Sequence, residues 1–465
     1  VEFTLREIQK VTEANVLKGG LENFWGVSID SRTCGEGQLF VALRGKRTDG
    51  HHFVFEALDR GAHGAMVEKW DEGKHFPATL FVVPDTYLAL IRLGKYASFR
   101  LRGKRIGVAG AAGKTTCKHV VSYLLGRCFK VAMTPQSFNT PLGVSLSFAN
   151  FPEDASFIVA EAGINTRGEM EMLSALIRPE VVIFTAFGEE HLEGLGSKRG
   201  ALEEELKLLW EGTERVYVNV DGDVPEREEV RKYSPRALVI PFGCSKKAFL
   251  RLLSFHLNTA RLTSRFRIVV GGKIFSLEAP ILAPETVLLA LPAIHLSFEA
   301  GLSWKKIEEA LQALRELPGR GGFFCRGNGV IIDDTYNANP LSCRKAVRLL
   351  SKFALGGYRT CLVLGDMLEL GDATDRAHRE ILRRVWHSPI ERVLLLGPFL
   401  GEAAQKEFCG VWGERFLLLA SPEEGKMFLR NFAASSERWA VLLKGSRGMG
   451  LETVMPEEWR GEIGG

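Results

Sequence analysis

The turn Gly110-Ala111-Ala112-Gly113-Lys114-Thr115-Thr116 carries the chemistry of a phosphate cradle. Small residues leave backbone N–H groups open to anionic oxygens, the Lys114 ammonium neutralises them, and the Thr115 hydroxyl is suited to Mg²⁺. Strict G-x-x-x-x-G-K-[ST] spacing is not met, because position 108 is valine. The flanks add specificity: an apolar run at 106–109 precedes the turn and a helical pattern through Leu125 follows it, the order that sets a phosphate at a helix N-terminus. Mg²⁺ prefers oxygen ligands and keeps several waters, so further donors should lie near. Glu161 follows the apolar run 157–160 and His191 follows the run 181–187. Both side chains are thereby expected at strand ends, as candidate metal ligands beside Thr115.

The elements that must position these groups fall into three regions. Up to about residue 97, short strand-like runs at 27–32 and 39–43 mix with turn residues and read as a small α/β module. From 98 to 317 the phosphate turn organises a central parallel-sheet domain of the P-loop ATPase kind. Its end is marked by Ile307, Ala310, Leu311 and Leu314 at helical spacing over 304–317, with Pro318-Gly319 stopping the helix. From 318 to 465, apolar runs at 330–332, 361–364, 393–396, 416–419 and 440–443 alternate with helix-length segments. This pattern predicts a Rossmann-like, doubly wound sheet that takes ligands at the carboxyl ends of its strands. The expectation is therefore an α/β chain of three domains, 1–97, 98–317 and 318–465.

Composition narrows the function classes. A chain of 465 residues exceeds what one hydrophobic core organises, and 46% apolar with 25% charged residues is the balance of a globular protein. Sixty basic against 56 acidic side chains leave +4, too near neutrality for a general nucleic-acid or membrane surface. The eight cysteines form no C-x-x-C pair, which argues against a zinc site or a disulfide framework and fits reduced thiols in a cytoplasm. The first residues lack the basic-then-apolar layout of a signal peptide, and the longest charge-free apolar stretch, near 286–298, is shorter than the roughly 20 residues of a spanning helix. A cytoplasmic monomer with no nucleic-acid partner and no membrane insertion is expected.

Longer strings carry a resemblance. The phosphate turn, Asn139-Thr140-Pro141-Leu142-Gly143, Glu161 and His191-Leu192-Glu193-Gly194 together resemble the central domain of the Mur ligases and folylpolyglutamate synthases. Asp333-Asp334-Thr335-Tyr336-Asn337-Ala338-Asn339-Pro340, Gly365-Asp366-Met367-Leu368-Glu369-Leu370-Gly371 and Lys444-Gly445-Ser446-Arg447-Gly448-Met449 sharpen this toward the Mur ligases. Asp30-Ser31-Arg32, Phe40-Val41-Ala42-Leu43-Arg44-Gly45 and Asp49-Gly50-His51 resemble that family's UDP-sugar-binding domain, which the folate enzymes do not explain. The resemblance covers nearly the whole chain. It implies an ATP- and Mg²⁺-dependent ligase that activates a carboxylate as an acyl phosphate and captures it with an amine. The Gly365–Gly371 run, with no Asp-Asn-Pro-Arg string, favours the member that joins D-alanyl-D-alanine to UDP-N-acetylmuramoyl-tripeptide in peptidoglycan precursor synthesis. The member adding the third peptide residue, and a divergent homologue that binds without turnover, are the alternatives.

The resemblance also implies roles. Lys114, His191 and Arg320 stand for the catalytic groups, with Arg320 near the γ-phosphate; Gly110 to Thr116 and Asn139 for nucleotide binding; Asp334 for the ribose, with Asn337 and Asn339 as polar orienters. Thr115, Glu161 and His191 are the implied metal set. Ser31, Arg32 and Lys46 stand for the uridine diphosphate site, and Lys444, Ser446 and Arg447 for a peptide carboxylate. Departures cluster at the nucleotide. Ala109 and Ala186 replace a threonine and an asparagine, and Glu285-Thr286 replaces an adenine-side His-Asn pair. The lysine that is carbamylated in these ligases aligns with Glu205, so either Glu205 supplies a carboxylate directly or Lys207 takes the role after a two-residue shift.

Overall fold

A computed structural model describes residues 1–460 apart from 19, 46–47, 72–74, 165, 188–196, 223 and 409–413. Two compact units emerge: Val1–Arg251 with Val270–Gly272 and Leu289–Ile307, and Leu252–Val269 with Lys273–Leu288 and Glu308–Gly465.

The first unit holds six parallel strands in the order Val131–Met133, Phe157–Glu161, Lys104–Ala109, Val181–Phe184, Arg215–Asn219 and Leu238–Gly243. Ile106, Val108 and Ala109, like the whole of Val181–Phe184, are buried, as near-continuous apolar runs are when helices cover both faces of a parallel sheet. From Lys104–Ala109 the chain crosses first to the outer strand Val131–Met133 and later to Val181–Phe184 on the opposite side. The strand order therefore reverses at Lys104–Ala109, and a crevice opens at the carboxyl ends of these strands. The same unit carries a five-stranded sheet in the order Asn15–Lys18, Thr79–Val82, Gly64–Val67, Leu39–Val41 and Val27–Ser28, parallel except for Asn15–Lys18.

In the second unit a six-stranded sheet runs Gly322–Arg326, Gly329–Asp334, Trp439–Lys444, Arg359–Gly365, Arg392–Leu396 and Phe416–Leu418, with only the first pair antiparallel. Alternation divides each central strand between two cores. Ile332, Leu362, Leu364 and Leu442 enter one cluster, while Ile331, Cys361, Val363 and Leu443 enter the other. The doubly wound pattern expected from the apolar runs is thus present. Among the described residues no helix is long and apolar enough to cross a membrane.

Some boundaries differ from the sequence reading. The run 304–317 is helical only over Trp304–Ala313, although Leu314 is still buried. A residue preceding proline is disfavoured in helical conformation, and here the backbone is used differently: Leu317 O accepts from Arg320 N, and Gly319 N donates to Asp333 Oδ2. The run 181–187 is a strand only to Phe184. The run 27–32 pairs only at Val27–Ser28, because Asp30 then caps a 3₁₀ turn, Ser31–Thr33, by accepting from Arg32 N.

Candidate active site

The phosphate loop is shaped by two glycines in left-handed conformation, Gly110 at φ +122° and Gly113 at φ +85°. A Cβ on Gly110 would fall 2.6 Å from Ala186 O, and one on Gly113 would fall 2.8 Å from the Leu289 side chain. Backbone blocks any side chain at Gly110, while at Gly113, where Leu289 could shift, it is the left-handed φ that favours glycine. The helix Lys114–Leu125 starts directly after Gly113, so its first N–H groups point at the crevice. Ala111 N donates to Ala186 O at 2.8 Å. Position 186 thus serves the loop through its backbone, and its alanine side chain costs this bond nothing. Ala112 and Thr116 lie half-buried in the same turn.

Lys114 folds back over the loop, its Nζ donating to Gly110 O at 2.6 Å. Thr115 Oγ1 donates to Glu161 Oε2 at 2.7 Å, and Asn139 Nδ2 donates to Glu161 Oε1 at 3.1 Å. Glu161 is the last residue of its strand, and the structure places it against Thr115, the neighbour expected from the strand-end placement, and against Asn139, which only the resemblance names. Sequence reasoning missed Lys118. It lies one turn along the helix from Lys114, is 2% exposed, and sets its ammonium 3.2 Å from Glu161 Oε2. Its spacing was the available signal, since residues four apart share one face of a helix. One carboxylate with a hydroxyl at the mouth of a phosphate loop is the donor set Mg²⁺ accepts when phosphate oxygens and water complete its shell. His191 lies outside the described residues.

The two candidates for the carbamate position part company. Glu205 is buried, and its Oε2 accepts from Gly110 N at 3.0 Å, inside the phosphate loop. Lys207 instead pairs with Glu204 at 2.9 Å and Glu171 at 3.0 Å.

Nearer the amino terminus, a cleft of about 550 Å³ is lined by Ser28, Asp30, Thr33 and Gln38 on one side and Gln136, Phe138, Ser147 and Asn150 on the other. Asn150 joins the two sides. Its Oδ1 accepts from Val27 N at 3.0 Å while its Nδ2 donates to Val27 O at 2.9 Å, a two-point match to one residue's backbone. The expected Ser31 and Arg32 flank this cleft rather than line it. Ser31 Oγ donates to Glu56 at 2.9 Å, and the Arg32 guanidinium grips Asp30 through Nε at 2.9 Å and Nη2 at 2.7 Å. Lys46 is outside the described residues.

In the second unit, Lys444 ends its strand 3% exposed, 2.8 Å from Asp334 Oδ2 and donating to Asn337 O at 2.6 Å. Ser446 Oγ accepts from Leu368 N at 2.9 Å, and Asn339 caps the helix Pro340–Leu355 by accepting from Ser342 N. Asp333 is spent on backbone, accepting from Gly319 N and from Thr335. Tyr336 brings two predicted arginines together: the Arg320 guanidinium lies 3.8 Å from its ring centroid and that of Arg447 lies 5.7 Å away. The Arg447 side chain is two-thirds exposed and reaches Glu452 at 3.6 Å. At the Glu285-Thr286 departure, Thr286 Oγ1 donates to Glu316 at 2.6 Å. Burial, with Asp334 and Glu285 nearby, pushes the Glu316 carboxyl up to about 8. His378 is fully buried; its Nδ1 donates to Thr374 O and its Nε2 accepts from Met367 N, bracing the Gly365–Gly371 segment.

Known proteins share this arrangement. Residues 23–83 match the catalytic-domain model of the Mur ligase family, 108–296 its middle-domain model and 319–447 its glutamate ligase domain model. The UDP-N-acetylmuramoyl-tripeptide–D-alanyl-D-alanine ligase of Bacillus subtilis is 31% identical, with 96% of each chain covered. The enzyme of the same name from Escherichia coli is 27% identical, with 98% of each covered. A crystal structure of MurF from Acinetobacter baumannii superposes with a TM-score of 0.83 at 25% identity, covering 98% of each chain. With a relative above 30% identity spanning almost its full length and three family models in register along it, the chain belongs to the Mur ligase family.

Proposed function

We propose that the chain is an ATP-dependent ligase that joins D-alanyl-D-alanine to the terminal carboxylate of UDP-N-acetylmuramoyl-tripeptide, releasing ADP and phosphate. The observation that carries this reading is the union of Lys114, Thr115 and Glu161 at one crevice, in a chain that matches the dipeptide-adding ligases end to end. Amide formation needs an activated acyl group. The tripeptide carboxylate attacks the γ-phosphorus of ATP, ADP departs, and the dipeptide amine then displaces phosphate from the acyl phosphate. Lys114 and the N–H groups of the loop offset charge on the phosphates, so two anionic reactants can approach. Thr115 and Glu161, with His191 as the resemblance implies, would hold Mg²⁺, which would add neutralisation of the phosphate oxygens.

Three domains with boundaries near 97 and 317 divide this work, in line with the family matches at 23–83, 108–296 and 319–447. The cleft beside Asp30 and Asn150 takes the uridine diphosphate end, with Ser31 and Arg32 shaping its rim through Glu56 and Asp30. Arg320 serves the γ-phosphate and Asp334 the ribose. Of the third-domain cations, Arg447 meets a peptide carboxylate, because its guanidinium is accessible while Lys444 is committed to Asp334 and Asn337. Glu205 takes the place of the carbamate. Its position in the loop supports this, and activity should then be indifferent to bicarbonate depletion.

The decisive experiment measures phosphate release from Mg-ATP and UDP-N-acetylmuramoyl-tripeptide with D-alanyl-D-alanine present or withheld, using diaminopimelate, lysine and glutamate as controls. Release that depends on the dipeptide is expected. Release with a control amino acid alone would assign the chain to a different step, and none with any amine would end the ligase reading.

A further inference from the structure

Lys118 has no part in the mechanism above, yet it is a lysine held almost completely out of water. Burying an ammonium is costly unless a counter-charge meets it, and an apolar residue would have served the helix better. Here Glu161 Oε2 lies 3.2 Å from its Nζ, and Gln136 O accepts a second bond from it. The carboxylate that would receive a divalent ion therefore already has a fixed cation beside it.

We propose that Lys118 is a positioning residue that makes the metal seat at Glu161 depend on bound nucleotide. A bare divalent cation meets a carboxylate already paired with an ammonium and gains little, whereas a triphosphate brings the negative charge that draws the ion in. Coupling of this kind is reciprocal: the metal tightens the nucleotide by the factor with which the nucleotide tightens the metal. Without Lys118, Glu161 would lose the ammonium beside it and would take the ion alone. This rests on the reading that the loop binds Mg-ATP.

The test is a Mn²⁺ titration followed by electron paramagnetic resonance, on the full-length protein with and without a non-hydrolysable ATP analogue. The wild type should bind Mn²⁺ weakly alone and tightly with the analogue. Lys118→Gln keeps a donor for Gln136 O and removes the charge; its nucleotide-free Mn²⁺ affinity should rise by about tenfold or more, given one unit charge removed at contact distance. The analogue's tightening should shrink in proportion, and adding Glu161→Gln should abolish the gain. A folded Lys118→Gln protein with unchanged or weaker Mn²⁺ affinity overturns the proposal. Should that variant fail to fold, Glu161→Gln alone decides: it removes the carboxylate 3.2 Å from the Lys118 ammonium, so metal-free analogue affinity should rise several-fold, and no rise overturns the proposal equally. Failure of the wild type to bind the analogue at all would instead sink the nucleotide reading.

Discussion

The phosphate loop and the strand ends of the carboxy-terminal sheet both gather charge at the carboxyl edge of parallel strands, but they balance it differently. At the loop, Lys118 faces Glu161, which also accepts from the Thr115 hydroxyl and the Asn139 amide, while Glu205 accepts from a backbone N–H. In the carboxy-terminal unit, Lys444 neutralises Asp334 and Lys345 stands 3.9 Å from Glu285, while Glu316 has the Thr286 hydroxyl as its bonded neighbour. Burial, with Asp334 and Glu285 nearby, pushes the Glu316 carboxyl up to about 8, so a proton takes the role that a lysine plays beside Glu161. The lesson is that the loop sets a fixed lysine against its buried carboxylate, whereas in the carboxy-terminal unit burial raises the Asp334 carboxyl even beside Lys444 and raises that of Glu316, whose bonded neighbour is a hydroxyl.

The most damaging way to break the comparison is at the loop. Lys114→Met should lower the rate of dipeptide-dependent phosphate release on the order of 10³-fold, about 4 kcal/mol of lost transition-state stabilisation. The melting temperature should barely move. A rate near that of the wild type would remove the loop from the chemistry.

Breaking the carboxy-terminal pair should cost stability instead. Lys444→Met leaves Asp334 without its ion-pair partner, with only the more distant Arg320 acting on it, and Asn337 O without its donor, a loss of roughly 3 kcal/mol in urea unfolding. A loss below about 0.5 kcal/mol, the scale of an exposed pair, would show that water already screens Asp334.

Glu316 sharpens the contrast through pH. Its carboxyl in the folded protein titrates near 8, above its ordinary 4.5, so the native state holds a proton that the unfolded chain releases. The stability this group contributes is complete below pH 4.5 and is lost as pH rises toward 8. Glu316→Gln keeps an acceptor for Thr286 and should flatten the stability curve over that interval, with a gain on the order of 2 kcal/mol at the alkaline end. Parallel curves for the two proteins would mean that Glu316 finds a cation after all.

The smallest effect belongs to Tyr336. Tyr336→Leu removes the surface on which Arg320 and Arg447 rest and should reduce kcat/KM about fivefold, near 1 kcal/mol, whereas Tyr336→Phe should retain the wild-type value. Equal losses in both variants would place the effect in the hydroxyl rather than the ring.

Much of this was legible in the chain because it depends on local order. The phosphate turn needs glycines at two left-handed positions, a strand before and a helix after, and all three are contiguous in sequence. The apolar runs of the third region mark its strands for the same reason. The hairpin formed by Thr263–Val270 and Lys273–Ala279 was overlooked, although Gly271-Gly272 at φ +56° and +75° is a strong two-residue turn signal. Asn150 was illegible: it is an ordinary polar residue at the end of a helix, and its match to Val27 joins segments 123 residues apart.

By itself the sequence determined which groups are available: a lysine and a threonine after the glycine turn, a glutamate closing a buried strand, cationic side chains after the last strand of the third region. Short-range backbone preferences and hydrophobic periodicity suffice for that. Only the tertiary structure decided which charges meet. It turned Lys118 inward to Glu161, sent Glu205 rather than Lys207 into the loop, and left Glu316 among carboxylates. The physical reason is that electrostatic pairing depends on distance through space and on the water that folding removes, and neither quantity is written in the spacing of residues along a chain.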